Sequence, residues 1–195
     1  MDTRDAGGAV SRRAFFTTGI GRMLERAAGA LAGRLAPGSY VRPPGALPEA
    51  AFVGACTRCG ECVRACPAHA IVMLEAPAGL ATGTPVLEPA VTACVMCPDM
   101  PCAAACPTDA LTPPPDGWRG VRLAEAVIDA ERCIAWGGVE CGVCARACPV
   151  GEGAIRLDAR GRPVIGAGCT GCGICVAACV TVPSSIHVTP IAGLA

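Results

Sequence analysis

The sequence predicts an α+β fold of small repeated units, in which short antiparallel strands and one-turn helices frame four cysteine-rich loops. Three observations carry this expectation. Variants of the stretch from Cys56 to Pro67, CTRCGECVRACP, occur four times and account for all sixteen cysteines in 195 residues. Short β-prone runs flank the loops. Aromatic residues make up only 3% of the chain, so large side chains cannot fill a conventional interior.

The four cysteine sets are Cys56, Cys59, Cys62, Cys66; Cys94, Cys97, Cys102, Cys106; Cys133, Cys141, Cys144, Cys148; and Cys169, Cys172, Cys175, Cys179. The first and last have the C-x2-C-x2-C-x3-C spacing of bacterial ferredoxins, in which three thiolates grip one iron–sulfur cubane and the fourth reaches a neighbouring one. Pro67, Pro107 and Pro149 follow the fourth cysteine and steer the chain away, while Val180 takes that place in the last set. Gly60, Gly171 and Gly173 allow close backbone approach to an inorganic sulfide. A disulfide framework does not repeat one such grammar with a trailing Cys-Pro. Structural zinc uses C-x2-C pairs without a third cysteine close behind. The chemistry expected is therefore four [4Fe–4S] clusters, with the sixteen cysteines as ligands to cluster iron and the inorganic cores as internal cross-links without which the chain does not fold.

Along the chain, residues 1–36 open with SRRAFF (Ser11 to Phe16), which looks like a twin-arginine export signal. Arg22, Glu25, Arg26 and Arg34 interrupt the segment that follows. Ile20, Met23, Leu24, Ala27, Leu31 and Leu35 recur at helical spacing and predict an amphipathic helix, with residues 19–35 available for peripheral membrane contact. Residues 37–50 read as an extended proline-rich connector, and residues 51–190 as the four-cluster domain. Strands are expected in AIVMLE, EAVIDAERC, AIRLD, RPVIGAGC and SIHVTPI. Two loops carry insertions, with four residues between Cys97 and Cys102 and seven between Cys133 and Cys141.

Several classes are excluded. Sixteen arginines and no lysine balance sixteen acids, and nothing resembles the basic stripe that nucleic-acid binding needs. Mean hydropathy is +0.48, yet no run of eighteen uncharged apolar residues exists to form a transmembrane helix. No GxGxxG fingerprint points to a nucleotide or flavin. With every cluster supplied with four cysteines, no open iron is left for a substrate, so no catalytic residue is assigned. His69 and His187 read as ordinary side chains, Asp99, Asp109 and Glu140 as solvated or tuning charges, and Trp118 and Trp136 as packing residues.

RPPGALPEAAFVGACTRCGECVRACP, CVMCPDMPCAAACP, CIAWGGVECGVCARACP and CTGCGICVAACV together resemble the ferredoxin-type polyferredoxins of periplasmic nitrate reductase and methylamine dehydrogenase operons, the NapG/MauM type. Both insertions belong to the resemblance, which covers roughly residues 40–190. It implies a twin-arginine leader, periplasmic location, and electron transfer from a membrane-bound quinol-oxidising iron–sulfur protein to a terminal oxidoreductase. A cytoplasmic protein at the membrane surface is the alternative location. An assembly factor and a permanent enzyme subunit are the alternative roles.

Which sets share clusters is left open by spacing. Sequential pairing joins the first set with the second and the third with the fourth. Nested pairing, known in the related subunits of molybdenum oxidoreductases, joins 51–80 with 160–190 around an inner half at 90–155. The simple spacing shared by the outer sets favours nesting, with Cys56, Cys59, Cys62 and Cys179 around one cluster and Cys169, Cys172, Cys175 and Cys66 around its neighbour. Cys94, Cys97, Cys102 and Cys148 then hold a third, and Cys133, Cys141, Cys144 and Cys106 the fourth.

Overall fold

A computed structural model describes residues 40–191. The twin-arginine-like stretch and the amphipathic segment 19–35 lie outside these residues. Among the described residues no helix is long and apolar enough to cross a membrane.

Two modules follow one another along the chain. In the first, helix α1 (Glu49–Ala55) leads into the first cysteine loop and helix α2 (Glu61–Ala65), then strands β1 (Ile71–Met73) and β2 (Pro85–Leu87) and, after the second loop, helix α3 (Pro101–Ala104). The second module runs from β3 (Glu125–Ile128) through α4 (Val143–Ala147), β4 (Ile155–Leu157), β5 (Pro163–Ile165) and α5 (Ile174–Ala177) to β6 (Ile186–Thr189). Each contains an antiparallel hairpin between its two cysteine loops: β1 pairs β2 with Val72 opposite Val86, and β4 pairs β5 with Arg156 opposite Val164. Each is closed by its two ends. In the second module β3 pairs antiparallel with β6, Val127 opposite His187. In the first, the closure shrinks to a single bridge between Ala46 and Leu111, reinforced by the Thr112 amide donating to the Gly45 carbonyl at 2.9 Å.

The tandem order corrects the nested expectation. An antiparallel hairpin follows each odd-numbered set and precedes the next, so neighbouring loops in sequence become neighbours in space. The halves 51–80 with 160–190 and 90–155 do not form units.

Residues 40–50, the described part of the expected 37–50 connector, depart from the extended form. Val41, Arg42, Pro43 and Pro44 are all buried, and Glu49 begins α1. Arg42 makes a fork with the Glu49 carboxylate, its Nε 2.8 Å from Oε2, and its Nη1 donates at 2.8 Å to both Thr84 Oγ1 and the Pro85 carbonyl. The guanidinium stacks 4.7 Å from the Phe52 ring and 5.0 Å from that of Tyr40. Proline composition signals a linker only when the segment has nothing to pack on; here it lies over β2 and α1.

The two cores are small and incorporate the thiols. Phe52, Ile71, Leu87, Met100, Leu111 and Leu123 surround the cysteines of the first module, and Ala126, Ala154, Ile155, Val176 and Ile186 those of the second. Val188 on β6 packs against both.

Candidate cluster-binding sites

A left-handed residue introduces every cysteine-bearing helix. Gly60 (φ 75°), Met100 (φ 41°), Gly142 (φ 75°) and Gly173 (φ 86°) are the N-caps of α2, α3, α4 and α5. That turn sends the chain from the loop into the helix, and the third cysteine of each set follows two residues later, inside the first turn. The fourth lies at or just past the helix end: Cys66 and Cys148 have extended backbone (φ −78°, ψ 111° and φ −71°, ψ 120°), as the following prolines require. His69 and Asp109 occupy matching left-handed turns three residues beyond the fourth cysteine, so their place is conformational.

Third and fourth cysteines of one set therefore stand at opposite ends of one short helix and face different recesses. Cys56, Cys59 and Cys62 line the first recess with Cys106 of the second set. Cys94, Cys97 and Cys102 line the second with Cys66. The third holds Cys169, Cys172 and Cys175 with Cys148, and the fourth Cys133, Cys141 and Cys144 with Cys179. We number them sites I to IV. All sixteen expected ligands fall into four groups of four, and each exchange of a fourth cysteine stays within a module. The four nested sets expected from spacing are not assembled, because Cys179 lies with Cys133 and Cys106 with Cys56.

The four sites adjoin in series. Helices α2 and α3 each contribute to both I and II, and α4 and α5 to both III and IV. Sites II and III meet at the module junction, where the Cys94 amide donates to the Cys172 carbonyl at 2.8 Å and the Leu123 amide to the Thr170 carbonyl at 2.8 Å. Bare glycine makes this approach possible. At Gly171 (φ 74°) a Cβ would stand 2.3 Å from the Ala124 carbonyl oxygen, and at Gly173 one would stand 2.6 Å from that of Pro89.

The donor set fits a bulky inorganic core better than a single ion. All sixteen cysteines are free thiols. Among the described residues no three His, Cys, Asp or Glu side chains converge closely enough to hold one metal ion. A zinc site requires four sulfurs about 2.3 Å from a common point; four thiols spread around a recess suit a cubane whose irons occupy separate corners. Burial pushes the Cys62 and Cys94 thiols up to about 11 and those of Cys102 and Cys175 to about 12, so bare thiolates there are unfavourable without bound iron. Cys179 goes the other way: burial opposes it, but the Thr181 hydroxyl and loop amides bring it down to about 7.

The tryptophans and insertions build walls. Trp118 donates its indole N–H to the Cys97 carbonyl at 2.8 Å and lines site II, which places the proline-rich 113–118 segment against a cysteine loop. The insertion after Cys97 sets Met100 into the core at 2% exposure. That after Cys133 carries Trp136 onto the β4–β5 hairpin, its ring 4.4 Å from the Arg162 guanidinium. Arg58 ties the site I loop to the turn at 79–82, donating to the Leu80 carbonyl at 2.7 Å and that of Thr82 at 2.9 Å.

Models described as 4Fe-4S dicluster domains match residues 55–110 and 125–180, which are the two modules. A methylamine utilization ferredoxin-type protein MauM from Methylorubrum extorquens is 40% identical over 202 residues, covering 92% of this chain and 89% of that protein. MauM from Paracoccus denitrificans is 42% identical over 77% of this chain and 71% of its own length. The ferredoxin-type protein NapG of Escherichia coli is 39% identical over 80% and 73%. The chain belongs to the MauM/NapG family of ferredoxin-type proteins. No solved structure matches it. Like other members of the MauM/NapG type it is an iron–sulfur electron-transfer protein, and its two dicluster modules provide for four [4Fe–4S] clusters.

Proposed function

We propose that this chain is a molecular wire, carrying electrons through four clusters in the order I, II, III, IV or its reverse, between a membrane-bound quinol-oxidising iron–sulfur protein and a terminal oxidoreductase. When bound, each cluster accepts and releases one electron; the polypeptide spaces, insulates and tunes them. In this reading Cys56, Cys59, Cys62 and Cys106 hold the first cluster; Cys94, Cys97, Cys102 and Cys66 the second; Cys169, Cys172, Cys175 and Cys148 the third; and Cys133, Cys141, Cys144 and Cys179 the fourth.

The observation that carries the reading is the junction. The Cys94–Cys172 main-chain bond brings the two modules together at their cysteine loops, so sites II and III are neighbours, with I joined to II and IV to III through shared helices. Electrons entering at one end therefore have a route to the other. The chain has no assigned chemistry of its own. The twin arginines Arg12 and Arg13 support a periplasmic location, reached in the folded, cluster-loaded state.

Rapid mixing of the anaerobically purified protein with a reduced quinol-linked donor, then with an oxidised acceptor enzyme, tests the proposal. Cluster absorbance should bleach and recover at catalytic rates. Normal turnover of mature acceptor without this protein would refute the relay and point to an assembly role. Amino-terminal sequencing of protein recovered from the periplasmic fraction tests export.

A further inference from the structure

The residue two places after the fourth cysteine differs among the sets: Ala68, Thr108, Val150 and Thr181. Because fourth cysteines are exchanged within each module, the two threonines belong to the outer sites. Thr108 Oγ1 is 3.8 Å from Cys106 Sγ at site I, and Thr181 Oγ1 is 3.2 Å from Cys179 Sγ at site IV. The inner sites have apolar side chains there. A sulfur ligating iron carries no proton, so in each pair the hydroxyl must donate.

At site IV the contact is extended. Thr181 Oγ1 is also 2.7 Å from Ser185 Oγ, and Ser185 is 1% exposed. With the Thr181 proton directed at sulfur, its oxygen accepts from Ser185, and the second bond polarises the first. Thr170 also offers its hydroxyl to Cys172 at site III, but shares it with Met96 Sδ at 3.4 Å, a weaker arrangement than the paired hydroxyls at site IV. A hydroxyl donating to a ligand sulfur stabilises the more negative, reduced cluster and raises its potential.

We propose that Thr181, backed by Ser185, and more weakly Thr108, are tuning residues that make the two ends of the wire better electron acceptors than its middle, with site IV the place where the electron rests. The inference depends on the ligand sets given under the proposed function. It gives the wire a polarity: the inner pair is a low-potential bridge crossed between two wells, and the fourth site is the deeper well.

Redox titration of the anaerobically purified holoprotein, followed by electron paramagnetic resonance and accompanied by iron counts, tests this. Thr181→Val should keep all iron and lower one titration wave, with a drop of about tenfold in the reduced-to-oxidised ratio at fixed ambient potential, or about 59 mV for one electron. Thr181→Ser should restore it. Thr108→Val should lower a different wave by less. Val150→Thr, which adds a hydroxyl beside Cys148, should raise a third. Unchanged potentials in both valine variants at full iron content would overturn the tuning proposal while leaving the wire intact. Wild-type protein lacking clusters would overturn the wire itself.

Discussion

Arg42 offers the sharpest test that residues 40–48 belong to the folded body. Arg42→Ala removes a guanidinium that satisfies Glu49, Thr84 and the Pro85 carbonyl at once, and leaves a carboxylate in a residue only 6% exposed without its partner. Breaking a buried pair by deleting one member costs about 3–5 kcal/mol. At roughly 2–4 °C per kcal/mol for a protein of this size, the apparent melting temperature should fall by about 6–20 °C. Cluster loss makes unfolding irreversible, so melting should be followed by cluster absorbance under argon at one fixed scan rate. The double variant Arg42→Met, Glu49→Leu should recover most of the loss, since an apolar pair of similar size removes both desolvated charges. A fall of under about 2 °C in Arg42→Ala, the scale of an exposed ion pair, would refute the reasoning and restore the segment to a connector.

Other outcomes follow from the sites. Cys106→Ala should abolish the resonance of the cluster held by Cys56, Cys59 and Cys62 and spare that of the cluster held by Cys94, Cys97 and Cys102, with Cys66→Ala doing the reverse; matched iron analysis and spectroscopy of the two variants distinguish this from any nested scheme. Gly171→Ala should destabilise more than Gly120→Ala, because both impose a left-handed alanine costing about 1–2 kcal/mol, but only the former meets the Ala124 carbonyl. Stripping iron with a chelator under reducing conditions should unfold the described body, read as lost circular dichroism, because the buried thiols form much of each core.

The strands were legible because β-branched runs at 71–73, 125–128, 155–157, 163–165 and 186–189 are short and bounded by turn formers. Strand β2, Pro85–Leu87, was missed, since three residues beginning with proline carry almost no pattern. The helix Glu49–Ala55 was hidden behind Pro48, although a proline followed by an acid is an ordinary helix opening. Spacing singled out all sixteen cysteines that line the four recesses, but not how they are grouped. Spacing constrains only the three cysteines on one loop, whereas the fourth belongs to whichever loop is folded beside it. The signal that could have settled it was the pair of hairpins: β1–β2 lies directly between Cys66 and Cys94, and β4–β5 between Cys148 and Cys169, so each draws consecutive loops together. Arg42 and Glu49 were invisible as a pair because seven residues across a proline-rich turn have no periodicity to betray them.

The exchange of fourth cysteines within a module also bears on how the protein is made. The thiols that line sites I and II are all present once Cys106 has been synthesised, and the bridge from Ala46 to Leu111 joins the two ends of the first module only five residues later. The first module thus has every thiol of its two recesses before the second begins, although Trp118 and Leu123 must still follow to wall site II and complete the core. A nested arrangement would have left the first three thiols exposed to oxygen until Cys179 arrived.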